Sequence, residues 1–209
     1  MPVWELEEAA YAAGYAAVCG VDEAGAGPLA GPLYAAAVIL PKGLVLPYLD
    51  DSKQVTPKRR EALSLQIQER ALAWSVAYVG PAEIDEIDIL NARMRAMQMA
   101  IDGLGMAADY ALVDGNRDHG SRCALLTAHK TVVKGDSRSV SIAAASILAK
   151  VSRDRYMVEA AVQYPQYGFE RHKGYGTKDH YAALEAHGAC PLHRRSFLRK
   201  WEARRGEQG

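Results

Sequence analysis

Three apolar runs in this chain end on acid. Ala16–Val21 leads into Asp22-Glu23, Tyr110–Val113 into Asp114-Gly115-Asn116, and Thr131–Val133 into Lys134-Gly135-Asp136. Each run reads as a strand, and open sheets bind ligands beyond their strand ends. If the three strands are neighbours, four carboxylates converge, and their repulsion is costly unless cations lie between them. Oxygen ligands of this kind suit Mg²⁺ or Mn²⁺. The matching chemistry is two-metal phosphoryl transfer. The turn after the first pair of acids, Gly25-Ala26-Gly27, lets main-chain N–H groups approach the same polyanion. Taken singly, an Asp after a strand is most often a turn residue or cap, and Asp136 equally suits the role of cap for the helix that follows. The acids of Glu83–Asp88 read as a solvated turn. The glycine run is neither a dinucleotide fingerprint nor a P-loop. Pro28 and Pro32 interrupt it, a strand follows where a helix is required, and no Gly-Lys-Ser/Thr occurs.

The elements that must hold these acids follow from the apolar patterning. A short helix over Trp4–Tyr15 precedes the first strand, and Leu33–Leu40 follows the glycine turn closely enough to pair antiparallel with it. Thr56-Pro57 starts a helix running to about Arg70, as N-cap and first helical position. Leu72–Val79 is a third strand, Pro81 opens the acidic turn, and Ile89–Leu104 has the apolar spacing of a helix. A long alanine-rich helix spans Ser139–Val162 and stops before Pro165, and a further helix over Thr177–His187 ends at Gly188. Strands and helices alternate after an antiparallel start, which predicts an α/β fold, a mixed sheet flanked by helices. The chain divides into a domain over residues 1–164 and a small basic helical segment over 165–209, packed on it.

Formal net charge is zero across 209 residues, but it is unevenly placed. Residues 1–50 carry one basic and six acidic side chains, and residues 165–209 carry nine basic and five acidic. That asymmetry is a hint of nucleic-acid binding. Cys19, Cys123 and Cys190 lie far apart with no CxxC, which argues against zinc or a disulfide framework and fits a reducing compartment. An acidic N-terminus and the lack of a run near the roughly 20 apolar residues of a membrane span point to a soluble, cytoplasmic protein with no membrane partner. The six histidines show no HxxxH spacing, so no transition-metal ligation is expected. His172 is a candidate for contact with a nucleic-acid backbone, and the other five suit surface or structural roles.

Seven ordered motifs, from about Val18 to Phe197, carry a resemblance: "GVDEAGAGPLAGP", "DDSKQVTPKRRE", "DEIDILNARMRAMQMA", "YALVDGN", "VVKGDSRSVSIAAASILAKVSRDRYM", "YPQYGFERHKGYGT" and "HGACPLHRRSF". In this order they resemble the type 2 ribonucleases H, most closely the bacterial ribonuclease HII family. The resemblance implies a ribonuclease H-like mixed five-stranded sheet and an endonuclease using Mg²⁺ or Mn²⁺. Its substrates would be RNA–DNA hybrids and DNA duplexes containing ribonucleotides, nicked 5′ of the ribonucleotide to leave 3′-hydroxyl and 5′-phosphate ends. It further implies that Asp22, Glu23, Asp114 and Asp136 are the catalytic, metal-binding carboxylates. Tyr175 would pack on the deoxyribose beyond the ribonucleotide, and Gly25-Ala26-Gly27 would sense the 2′-hydroxyl. Lys53, Lys134 and Ser137 would contact the phosphate backbone. Where that family has Gly-Arg-Gly, this chain has Ala26, which leaves main-chain reading possible but removes a cation. A competing reading is therefore a hybrid- or junction-binding protein with weakened turnover or altered junction preference. The tail "SFLRKWEARRGEQG" lacks the Q-x-x-Ψ-x-x-aromatic-aromatic pattern (Ψ aliphatic) of clamp-binding segments, and a monomer is expected.

Overall fold

A computed structural model of the chain describes residues 2–49 and 55–206, with side chains to residue 203. Lys53 lies outside the described residues. The strands are β1 (Val18–Ala24), β2 (Leu33–Ile39), β3 (Ala73–Val79), β4 (Tyr110–Asp114) and β5 (His129–Val132). They form one sheet in the order β3-β2-β1-β4-β5. Antiparallel pairing joins β1 to β2 and β2 to β3, whereas β1, β4 and β5 run parallel. The mixed five-stranded sheet expected from the sequence is present, and β1, β4 and β5 are adjacent, with Asp136 in a 3-10 turn (Gly135–Ser137) beyond the end of β5.

Alternation along β2 builds a core on each face. Ala35, Ala37 and Ile39 pack with Met94, Met97 and Ile101 of helix α4 (Ile89–Asp102). Ala36 and Val38 pack with Ala144, Ile147 and Leu148 of helix α5 (Val140–Gln163). The small side chains of α5 bring that helix onto the sheet. At Gly20 of β1 a Cβ would lie 2.0 Å from the carbonyl carbon of Ser141, so only glycine fits there. Helix α2 (Pro57–Arg70) covers the outer side of α5 through Leu63 and Ile67.

Helix α1 (Glu5–Ala12) is fastened to the start of α5 by one buried carboxylate. Glu7 Oε1 accepts from Ser139 Oγ at 2.5 Å, Ser141 N at 2.9 Å and Ser141 Oγ at 2.6 Å. Ser139 is the N-cap of α5, accepting from Ile142 N, so Asp136 does not perform that role.

The acidic stretch after Gly80 is not a solvated turn. Residues Pro81–Ile87 form helix α3, with proline at its first position and Ile84 fully buried. Two of the four carboxylates in this stretch serve at helix ends, where free N–H groups need acceptors, and Glu83 pairs with Arg95 at 2.8 Å. Asp88 Oδ1 accepts from Leu90 N and Asn91 N, and so caps α4. Asp85 accepts from Arg195 N at 2.7 Å and Ser196 N at 2.9 Å, at the start of helix α8 (Arg195–Gly206).

After Pro165 the chain forms α6 (Phe169–His172), α7 (Lys178–His187) and α8. This segment is woven into the loop after β1. Leu29 N donates to Gly174 O, Gly31 N to Leu192 O, and Arg194 N to Leu29 O. No helix among the described residues is long and apolar enough to cross a membrane.

Candidate active site

The parallel strands bring their acids to one end of the sheet. The last paired rung of β1 and β4 is Val21 with Val113, so Asp22 and Asp114 come level one residue further on. β1 continues through both acids to Ala24, pairing Asp22 with Ala36 and Glu23 with Ala35. Successive strand residues face opposite ways. Asp22 accordingly faces α5, where Ser146 hydrogen-bonds it, and Glu23 faces α4, where Arg93 pairs with it at 2.9 Å.

Asp22, Glu23, Asp114, Gly25, Ala26, Gly27, Ser146, Lys150 and Tyr175 line one cavity of ≈ 320 Å³. The fold thus brings three of the four expected acids, the glycine turn and Tyr175 to the same cavity. Asp136 is buried beside it, joined through Gly135, whose N–H donates to Asp114 Oδ1 at 2.7 Å. Lys134 and Ser137 are exposed outside the cavity wall, with Ser137 Oγ donating to Lys134 O. Among the described residues no three His, Cys, Asp or Glu side chains close around a single point.

Electrostatics at the acids are strained. Burial holds the Asp22 carboxyl well above the usual carboxylate range, and the charges of Glu23 and Asp114 push it further. Burial also raises Glu23, opposed by the Arg93 guanidinium. Glu23 Oε2 is buried with no hydrogen-bond partner. Crowded carboxylates with an unused buried oxygen, and only oxygen donors, fit a hard divalent cation.

Ser146 and Lys150, given no role in the sequence reading, complete the wall, and Arg93 and Arg153 stand behind it. Arg93 orients Glu23, and Lys150, paired with Asp154 at 2.7 Å, also borders a wider groove that holds Arg60, Arg155, Arg171 and Lys173. Ser146, Lys150 and Arg153 recur at i, i+4 and i+7, one face of a helix that is otherwise apolar there. That spacing was the available signal. Behind the glycine turn lie two fully buried arginines, Arg153 and Arg194.

Tyr175 is held from below. Cys190 N donates to His193 Nδ1 at 2.9 Å, so the His193 proton sits on Nε2 and points to His180 Nε2 at 3.0 Å. His180 then carries its own proton on Nδ1 and donates to Tyr175 O at 2.9 Å. His172 stacks on His180 at 4.5 Å, donates to Tyr167 O and accepts from Gly174 N. The Tyr175 ring lies 5.8 Å from the Arg153 guanidinium and is 44% exposed, facing out of the fold.

Comparison with known proteins agrees in sequence and in fold. The family model described as Ribonuclease HII matches residues 19–200. A ribonuclease HII of Endomicrobium trichonymphae is 52% identical over 196 residues, covering 93% of this chain and 91% of its own. The ribonuclease H2 structure from Pyrococcus horikoshii OT3 superposes with a TM-score of 0.75 at 27% identity, covering 90% of this chain and 98% of its own. The ribonuclease HII of Archaeoglobus fulgidus, solved in complex with PCNA, gives 0.70 at 25% identity, covering 86% and 94%.

Proposed function

The chain belongs to the ribonuclease HII family and is a type 2 ribonuclease H, an endonuclease of RNA–DNA hybrids; on that premise we propose how its own residues do the work. The reading is carried by one observation: Asp22, Glu23 and Asp114 share a cavity with the Gly25–Gly27 turn and Tyr175.

Asp22, Glu23, Asp114 and Asp136 would hold Mg²⁺ or Mn²⁺. Such ions supply activation of water and stabilisation of charge developing on the scissile phosphate. The Arg93 guanidinium fixes the rotamer of Glu23, and Ser146 holds Asp22, so neither acid must reorganise when the substrate arrives. The Gly25-Ala26-Gly27 main chain reads the 2′-hydroxyl, a group that both donates and accepts and that DNA lacks. Tyr175 packs on the following sugar, where its exposed ring favours a deoxyribose without a 2′-hydroxyl. Lys53, Lys134 and Ser137 meet backbone phosphates, giving affinity independent of sequence. The products are a 3′-hydroxyl and a 5′-phosphate, with the cut 5′ of the ribonucleotide, in hybrids and at single ribonucleotides in duplex DNA.

We also read residues 1–164 as the catalytic domain, with 165–209 as a segment packed on it that supplies Tyr175. The enzyme acts as a cytoplasmic monomer. The tail has no clamp-binding pattern, so no sliding-clamp contact is proposed.

Asp114→Asn and Asp136→Asn test the assignment. Each is expected to lower the single-turnover cleavage rate at least about 10³-fold, roughly 4 kcal/mol of transition-state stabilisation, while hybrid binding persists. Full cleavage by both variants would remove these acids from the mechanism.

A further inference from the structure

Arg194 directs its entire guanidinium at main-chain carbonyls of the loop after β1. Nη2 donates to Gly25 O at 2.7 Å and Gly31 O at 2.8 Å, Nη1 to Ala26 O at 3.0 Å, and Nε to Gly31 O at 3.0 Å. From the other side Arg153 holds Pro32 O at 3.1 Å and Ala30 O at 3.2 Å. Arg153 also occupies the place of a side chain at Gly25, where φ is +95° and a Cβ would lie 2.0 Å from its Nε. Two like charges buried side by side repel, and the carbonyls on Arg194 and on Nε and Nη2 of Arg153 offset that cost, while Arg153 Nη1 is buried without a hydrogen-bond partner among the described residues.

The consequence lies on the opposite edge of the same peptides. In a trans peptide the C=O and the next N–H point in opposite directions, and every peptide described here is trans. With the Gly25 and Ala26 carbonyls turned to Arg194, the amides of Ala26 and Gly27 point away from it. Both residues line the cavity, and neither amide meets a main-chain acceptor among the described residues. We propose that Arg194 is the positioning residue of the ribonucleotide-reading turn, aiming two successive amide donors at the oxygen of the 2′-hydroxyl. The proposal rests on the assignment of that turn made above. A guanidinium is required because its planar fork spans adjacent carbonyls, which an ammonium cannot do. Reading by main chain alone also explains how alanine serves at position 26.

Arg194→Lys, which keeps the charge and loses the fork, is the test. Binding is measured with Ca²⁺ replacing Mg²⁺, on a DNA duplex carrying one ribonucleotide and on the same duplex without it. The wild type is expected to prefer the first by about tenfold or more, as one or two hydrogen bonds give, and Arg194→Lys to prefer it by less than about threefold. Affinity for the plain duplex, set by phosphates, is expected to stay within about threefold. A preserved preference overturns the role of Arg194, as does an equal loss of affinity for both duplexes, which would mark a merely structural residue. A wild type without preference overturns the reading of the turn itself, and with it this proposal. If Arg194→Lys no longer melts cooperatively, amide exchange in the wild type decides. Protection of Ala26 and Gly27 by the ribonucleotide-bearing duplex alone supports the proposal, and equal exchange with both duplexes overturns it.

Discussion

At position 26 the side chain is a methyl group, and its surroundings say what a longer one would do. Ala26 is partly buried at the cavity wall, with its carbonyl fixed on Arg194, Gly25 buried against Arg153 before it and Gly27 exposed after it. The methyl group packs against the core on the α4 side of the sheet, so on the proposed substrate placement a longer cationic side chain would extend along the cavity wall toward phosphate. Ala26→Arg is therefore expected to tighten hybrid binding by about 1.5–3 kcal/mol, roughly tenfold to a hundredfold. It should also steepen the dependence of log K on log salt by about 0.9. An unchanged affinity and salt slope in a binding titration would show that position 26 does not face the backbone. The acids were legible because polar residues ending apolar runs are conspicuous. Arg93 was not, since its meaning depends on Glu23 facing α4 across the sheet, seventy positions away in the chain.

Helix α5 sets how closely the acids are held, because it rests on β1 through alanines and Gly20. Gly20→Ala places a methyl group against the main chain of Ser141 and Ile142, where no side chain can give way. Overpacking of this kind costs about 1–3 kcal/mol or more, a fall in melting temperature of at least about 2–4 °C for a chain of this size. A melting temperature within about 1 °C of the wild type would show that α5 is free to shift. Most elements could be read from apolar runs and turn residues, since β1 and β4 are largely buried and each is followed directly by glycine. Residues 83–88 misled because their carboxylates looked solvated, whereas Asp85 and Asp88 accept from helix N-termini. The tie between Glu7 and Ser139 joins positions 132 apart and leaves no local trace.

Across the whole molecule, the segment after Pro165 supports the site through buried polar groups. His180 and His193 are both pushed down to about 4, chiefly by burial, from an ordinary value near 6.5. Their folded values lie below the unfolded one, so the unfolded chain takes up protons first as pH falls. The stability they contribute is complete above about pH 6.5 and is lost toward pH 4. The raised Asp22 and Glu23 act with the opposite sign, so the histidine share is read as a difference between proteins. His193→Gln is expected to flatten the fall of melting temperature between pH 6.5 and 5, and an unchanged slope would contradict the neutral chain beneath Tyr175. This chain was invisible in sequence, where the histidines showed no metal spacing and their contacts arise only when α7 meets the loop before α8.

The most direct test is a cleavage assay in Mg²⁺ and in Mn²⁺, comparing a DNA duplex that carries one ribonucleotide with a hybrid that has a continuous RNA strand. The expected result is that both are cut, the first immediately 5′ of its ribonucleotide, leaving a 3′-hydroxyl and a 5′-phosphate. If both duplexes are bound and neither is cut with either metal, the carboxylates at the strand ends are not a catalytic centre and the account fails.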